Sequence, residues 1–539
     1  MTTANANLFV ALRAGFPAGL DDVAIETVDT GLVYTWRDLD RATAMLANML
    51  ESLDLPPSSR IAVQAEKSVE SLLLYLAVLR AGHVYLPLNT AYKSDEISYF
   101  LGDAEPAIFV CAPKDFHWAS RLAFARGTRY VFTLGDDRSG SLLERATHFA
   151  DTHVPAERAA DDLAAILYTS GTTGRSKGAM LTHGNLVANA TTLKTYWGWR
   201  APETVEHRAA KSSAVPPRGA ADEVSVGAPL RDVLIHALPI FHVHGLFVAS
   251  HGALLAGARM LWLGRFDPAK VVALLPRATV FMGVPTLYVR LLGERGLTRE
   301  ACASMRLFIS GSAPLLIETF ESFRERTGQT ILERYGMSET VMLTSNPCDP
   351  AEGERRGGTV GFPLPGVGLR IMGGGAELPR GSVGAIEVKG PSVFAGYWRM
   401  PEKTKEEFSA DGWFRTGDVG KVDDDGYVTI VGRSKDLIIS GGYNVYPAEV
   451  ESFLNELPQV AESAVVGVPH PDFGEAVVAV VVGRGGAAVD ADECTRVLKG
   501  RIANFKVPKA IFVVPELPRN AMGKVQKNLL RQQHAALFA

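Results

Sequence analysis

Cysteine is scarce: four in 539 residues, Cys111, Cys302, Cys348 and Cys494, with no pair at a metal-ligand spacing. That argues against both a disulfide framework and a structural zinc, and it fits a reducing compartment. No run of about 18 apolar residues is present, so no membrane span is expected. Charge of one sign is also missing. A net charge of −4 gives no electrostatic case for nucleic acid, and an anionic ligand must be met by local cations. Met1 to Asn7 has no basic segment leading into an apolar one and no arginine-rich bias. A cytoplasmic enzyme is the expectation. At 47% hydrophobic and 21% charged the chain is of ordinary globular composition, and its length calls for two or more domains.

What is present is a polar loop behind an apolar run. Leu163 to Leu167 reads as a buried strand. Tyr168 to Gly178 then holds five serines and threonines, three glycines and two cations, Arg175 and Lys177. Glycines let backbone N–H groups turn toward an anion, and the hydroxyls add neutral donors. The composition suits a mobile polyphosphate loop, with a polar surface turn as the rival reading. It is not a Walker A loop, because Ser176 separates the lysine from the preceding glycine and arginine.

Short apolar runs alternate with helical patterns over the first two-thirds of the chain. Strands are predicted at 60–63, 85–88, 107–110, 130–132, 233–237, 260–263, 279–282 and 307–310, and a largely buried helix at 68–81. Such alternation argues for layered α/β sheets covered by helices. From Gly366 to Val431 glycine and proline are frequent and strands short, as in a β-rich subdomain. A polar break, Gly432 to Asp436, precedes a compact α+β segment. The predicted division is a large N-terminal domain, 1–432, and a small mobile C-terminal domain, 433–539. Residues 201–230 are rich in Ala, Pro, Ser, Arg and Glu and read as an atypical inserted surface loop.

Five further stretches carry chemistry. In His236 to Gly245, His242 and His244 could be metal ligands on a strand. With no cysteine or carboxylate beside them, a pocket wall shared with Phe241 is the other reading. Leu307 to Pro314 predicts a strand, a glycine turn at Gly311, and a helix opened by proline. In Glu333 to Thr340, Tyr335 offers a ring for stacking, Ser338 a hydroxyl and Glu339 a hard oxygen ligand for Mg²⁺. Asp418, in Arg415 to Asp418, can accept hydrogen bonds from ribose hydroxyls, and Arg433 follows fifteen residues later. Lys524, after Gly523, sits on a late loop from which it can reach a site on another domain.

Together these runs resemble the adenylate-forming superfamily of acyl-CoA synthetases, firefly-type luciferases and peptide-synthetase adenylation domains. YTSGTTGRSKG, YGMSET, TGD, GRSKDLIISGGYNVYPAEVE and NAMGKV appear in the family's order across nearly the whole chain. The resemblance implies ATP, Mg²⁺ and coenzyme A, and a small domain that rotates between two half-reactions. It implies that Thr169, Ser170, Gly171, Thr172, Thr173, Gly174 and Lys177 hold the β- and γ-phosphates. Gly311, Ser312, Ala313 and Tyr335 would flank adenine, with Glu333 in the same nucleotide set. Ser338 would touch the α-phosphate, Glu339 bind Mg²⁺, and Asp418 and Arg433 hold the ribose. Lys435 would be the hinge, Lys524 the adenylation lysine, and Gly441 and Gly442 line the thiol path. Lys524 would also be a target for acylation.

Within that superfamily the chain is most similar to the malonyl-CoA synthetases, in stretches such as DVLIHALPIFHVHGLFVAS and MGVPTLYVRLL. Malonate carries a second carboxylate, which needs a fixed cation if it is buried. Arg290 is the candidate, because its planar fork binds carboxylate bidentately. His242, His244, Ser310 and Met342 would be its neighbours. The subgroup commonly has Thr where this chain has Val243, and Thr-Asn-Met-Asn where it has Thr340-Val341-Met342-Leu343. A greasier pocket is expected, shifting preference toward methylmalonate or another C2-substituted malonate. The alternatives are a monocarboxylate–CoA ligase and an enzyme that loads a carrier protein.

Overall fold

The computed structural model describes residues 5–169, 176–201, 231–440, 443–520 and 523–538. Ser170 to Gly174, Gly441, Gly442 and nearly all of the 201–230 segment lie outside them.

Four sheets organise the described residues. The first runs, in spatial order, Phe362–Pro363, Val341–Ser345, Ile331–Met337, Leu307–Ser310, Val280–Gly283, Val233–His236, Arg259–Trp262, Val23–Thr27 and Val33–Thr35. Its centre is parallel, from Val23–Thr27 through Ile331–Met337. The second sheet pairs Arg60–Gln64 in parallel with Val84–Pro87 and Ile108–Cys111. Between the sheets lies the helix Val69–Arg80, every residue of which is buried. Ser68 opens it, accepting from the Ser71 N–H while Ser71 returns the bond. This is the covered, layered α/β arrangement that the alternating pattern predicts, and the strands fall within a residue or two of their expected places.

The third sheet contains Gly368–Gly373, Gly384–Lys389, Phe414–Val422 and Val428–Arg433, and is wholly antiparallel. The last is built from Ile438–Ser440, Tyr443–Val445, Val460–His470, Gly474–Gly483 and Ala510–Val514. It has its own core, including Val450, Leu454, Val465, Val477 and Leu498. A single turn, Ser434–Asp436, joins the third sheet to the last.

One local expectation fails. Pro314 does not open a helix: the helix spans Ile317–Thr327, after an extended Leu316. The intervening turn is held elsewhere. Ser312 has a left-handed backbone (φ 73°), and the Leu315 N–H donates to Glu333 Oε1 at 2.9 Å. Among the described residues no helix is long and apolar enough to cross a membrane.

Candidate functional site

Four of the motifs leave the carboxyl ends of strands, where open α/β sheets gather ligands. Leu163–Thr169 and Lys177–Thr182 pair antiparallel with Thr169 opposite Lys177, so these two residues of the polar motif face each other. Val233–His236 feeds the histidine segment, Leu307–Ser310 feeds Gly311 to Ala313, and Ile331–Met337 feeds Ser338 and Glu339.

Phe241, His242, Val243, Tyr168, Leu167 and Ser338 line one cleft. Beyond it His244–Ser250 winds as a π-helix, a rare form that widens the turn at functional positions. His236 reaches across that turn to the Gly245 carbonyl (3.1 Å) and Ser250 Oγ (3.0 Å). Burial pushes the His242 pKa down to about 3, with the Lys524 charge adding to the effect. His244 is held well below the ordinary histidine range by burial, then by the Arg334 charge. Both imidazoles are therefore neutral near pH 7. Of the pair, His242 lines the cleft and His244 is buried beyond it.

Glu339 sits in the tight turn between Ile331–Met337 and Val341–Ser345, 5% exposed. Tyr397 Oη donates to its Oε1 at 3.0 Å. The Lys177 ammonium lies 4.2 Å from the centre of the Tyr397 ring and 3.5 Å from Glu407 Oε1. Burial raises the Glu339 pKa, opposed by backbone and Tyr397 hydrogen bonds and by the charges of Lys177 and Arg433. A lone buried carboxylate with an open demand for positive charge fits Mg²⁺, which takes one or two carboxylates and fills its shell with phosphate oxygens and water.

Asp418 and Arg433 face each other across the hairpin that ends the third sheet, with Nε to Oδ1 at 3.0 Å. Tyr335 Oη donates to the other Asp418 oxygen at 2.5 Å. Thus the predicted stacking ring and the predicted ribose carboxylate are in direct contact.

Lys524 arrives from the last unit. Its loop is closed by the Arg519–Val525 bridge and by the Lys524 N–H donating to Asn520 Oδ1 at 3.0 Å. Accessible by surface area, Lys524 is nevertheless surrounded by protein on the scale over which charges act. That enclosure, then Arg433, lowers its pKa below the ordinary lysine value, with Asp418 and Glu339 opposing and Arg334 adding. The lysine therefore shares one electrostatic neighbourhood with His242, Arg334, Glu339, Asp418 and Arg433.

Other predicted residues are placed differently. Arg290 is exposed on the helix Pro285–Leu292 and has no ion-pair partner among the described residues. It lies one turn beyond Thr286, whose hydroxyl is 3.8 Å from where a Cβ on Gly523 would stand. Met342 is 2% exposed and packs in the main core against Gly336. Val341 and Leu343 are fully buried in that same core, so of the apolar exchanges only Val243 is at the cleft wall. Lys435 stands in the turn between the third and last sheets, its pKa lowered to about 8 by burial and Arg433.

Arg334 escaped the sequence reading. It alternates along a strand like any other residue, and only packing reveals that its guanidinium is 2% exposed with no hydrogen-bond partner among the described residues. Tyr397 was missed for a similar reason: its partners lie 58 and 220 positions away, at Glu339 and Lys177.

The family model of the AMP-binding enzymes matches residues 18–398, and that of the AMP-binding enzyme C-terminal domain matches 449–524. The chain belongs to the AMP-binding enzymes. The ATP-bound crystal structure of MatB from Rhodopseudomonas palustris superposes with a TM-score of 0.91 at 51% identity, covering 99% of this chain and 100% of that one. The apo form of the same protein gives 0.80. This AMP-binding enzyme thus follows the ATP-bound arrangement more closely. A malonate–CoA ligase of Arabidopsis thaliana is 34% identical over 506 residues, 88% of this chain and 78% of its own length. A feruloyl-CoA synthase of Amycolatopsis is also 34% identical, over 508 residues, 93% of this chain and 94% of its own.

Proposed function

We propose that this protein is a malonate–CoA ligase. It activates malonate with ATP, releases pyrophosphate, and transfers the acyl group to coenzyme A with release of AMP. The observation that carries the reading is geometric: Glu339 is held by Tyr397 beside the Lys177 ammonium and Asp418 between Arg433 and Tyr335, with Lys524 in the same electrostatic neighbourhood. The similarity to MatB and to malonate–CoA ligase supports the choice of acid.

The difficulty of the first step is an anion attacking an anion. A malonate oxygen attacks the α-phosphorus, and the bond to the pyrophosphate oxygen breaks. Lys524 offsets the repulsion and the charge that builds on the phosphorus centre. Lys177 and the hairpin loop from Thr169 hold the β- and γ-phosphates, and Ser338 lies beside the α-phosphate. Glu339 would hold Mg²⁺, which supplies charge neutralisation on the phosphates when bound. Tyr335 and Gly311 to Ala313 would flank adenine, while Asp418 and Arg433 grip the ribose. The neutral imidazoles of His242 and His244 line the acid pocket without adding a competing charge. Arg290, exposed near the Lys524 loop, is the candidate cation at the pocket mouth.

In the second step the thiol sulfur attacks the acyl carbon and AMP leaves. Lys524 has no task there, so residues 433–539 would swing about Lys435 and bring Gly441 and Gly442 to the thiol path.

The test is an acid panel with the purified protein, ATP, Mg²⁺ and coenzyme A, following AMP, pyrophosphate and thioester. Malonate should give all three products, with acetate and ferulate far poorer and methylmalonate second. Preference for a monocarboxylate overturns the assignment.

A further inference from the structure

Thr169 and Lys177 form the last residue pair of the strands Leu163–Thr169 and Lys177–Thr182. Paired strands open most readily at their ends. Here each strand is tethered at the residue before that pair, and both tethers run to one helix, Ser94–Ala104. Tyr99 Oη donates to the Ser176 carbonyl at 2.7 Å. Tyr168 Oη donates to Asp103 Oδ2 at 2.5 Å.

Tyr99 and Asp103 are spaced i, i+4, so they share one face of that helix. The helix does not need these bonds to stay in place, because Ile97, Phe100, Leu101 and Ala104 already anchor it in an apolar core. The two polar contacts are additional, and they select the strand ends. Burial, then the Asp103 hydrogen bond, raises the Tyr168 phenol pKa, so this group remains a donor at any working pH. A third strand joins the arrangement. Trp398 donates its backbone N–H to the Gly178 carbonyl at 2.8 Å and its indole N–H to the Asp103 carbonyl at 3.0 Å. It follows Tyr397, whose ring faces Lys177. A Cβ on Gly178 would stand 2.8 Å from the Ile166 side chain and 3.3 Å from Trp398 Cβ, so glycine lets the strands close up there.

Affinity is lost wherever a ligand must first order the groups that hold it. A phosphate chain that meets Thr169 and Lys177 finds the backbone beside both residues already fixed from the helix. AMP has no β- or γ-phosphate and gains nothing from that ordering. The two nucleotides therefore separate a grip on the phosphate chain from general support of the fold.

We propose that Tyr99 and Asp103 are positioning residues for the phosphate chain of ATP: they hold Ser176 and Tyr168, and through them Lys177 and Thr169. This rests on the reading that Thr169 and Lys177 meet the β- and γ-phosphates. The helix Ser94–Ala104 is then part of the grip on the phosphate chain, and not of the grip on adenosine or on the acid.

The experiment is isothermal calorimetry with Mg·ATP, magnesium pyrophosphate and AMP, on the wild type, Tyr99→Phe, Asp103→Ala and Lys177→Ala. Phenylalanine keeps the ring at position 99 and removes the donor, and alanine removes the acceptor at position 103. Tyr99→Phe should weaken Mg·ATP and pyrophosphate by about two- to tenfold, the range for one neutral hydrogen bond. Asp103→Ala should weaken both by about tenfold or more, because its bond involves a charged group. AMP affinity should stay at the wild-type value in both variants. Mg·ATP affinity unmoved in either variant, or AMP weakened by the same factor as Mg·ATP, overturns the proposal. If Asp103→Ala fails to fold, Tyr99→Phe decides alone by the same two readings. The parent reading fails separately: Lys177→Ala binding Mg·ATP as tightly as the wild type would remove Lys177 from the phosphates, whatever the helix does.

Discussion

Tyr397 bridges two oppositely charged groups of the proposed nucleotide site: its hydroxyl donates to Glu339 and its ring face lies beneath the Lys177 ammonium. The two charges come from different sheets, and Tyr397, paired beside Lys177–Thr182, keeps them in step. Tyr397→Phe keeps the ring and removes the hydrogen bond. A bond to a charged group is worth about 1.5–3 kcal/mol, so Mg·ATP affinity should weaken by roughly tenfold or more. Isothermal calorimetry with Mg·ATP checks this without turnover. Unchanged affinity would show that Glu339 is positioned by its backbone alone.

Lys524 should separate the half-reactions. Lys524→Ala, or acetylation at that nitrogen, should slow adenylation by about 10²–10³-fold. Thioester formation from preformed malonyl-adenylate should stay near the wild-type rate. Because the Lys524 pKa is lowered, adenylation should decline with rising pH at values below 10.5, where an ordinary lysine would still be charged. Equal loss in both half-reactions would contradict the assigned role.

Arg484 ties the last unit to the large one. Its guanidinium meets Glu318 through two contacts, 2.7 and 2.9 Å, from the turn after Gly474–Gly483 to the helix Ile317–Thr327. The pair is half exposed, so a contribution of about 0.5–1 kcal/mol is expected. Glu318→Ala should reduce the ratio of adenylation to thioesterification rate by roughly two- to fivefold at low salt, and less as ionic strength screens the pair. Stopped-flow measurement of each half-reaction at two salt concentrations is the check.

Four buried histidines predict acid lability. His83 and His183 are pushed down to about 4, by burial and then Arg158, and His242 and His251 to about 3, chiefly by burial. Each folded value lies below the ordinary 6.5, so the unfolded chain binds more protons in between. Their neutral burial is fully compatible with folding above pH 6.5, and stability drains away as pH falls from there toward 4 and 3. Melting temperature should drop steadily from pH 7 to pH 5 at fixed ionic strength. A flat profile across that range would contradict the burial.

The fold was legible because its signals are local. Helix Val69–Arg80 announces itself by unbroken apolar character and a Ser68 cap, and the parallel strands by short apolar runs between helices. The Ser338–Glu339 turn and the Asp418–Arg433 pair were legible as local structure because each is contiguous or linked by a single hairpin. What could not be read depends on folding distant chain together. Nothing in the run around Arg334 says that the glycine turn at 311 will close over it, and no periodicity separates the π-helix His244–Ser250 from an α-helix. Val341 illustrates the limit from the other side. Its exchange from a polar residue suggested an altered pocket, yet its side chain is in the core.

The backbone of Val341 has φ 55°, a left-handed conformation that a β-branched residue resists by about 1–2 kcal/mol. It directly follows the turn that bears Ser338 and Glu339. Such a hairpin tip keeps its contour only because the hydrophobic interior clamps it, so its shape exists before any nucleotide arrives. Damage to the packing beneath Val341 would then be felt first as poorer grip on phosphate, at a temperature where the remainder of the protein is still intact.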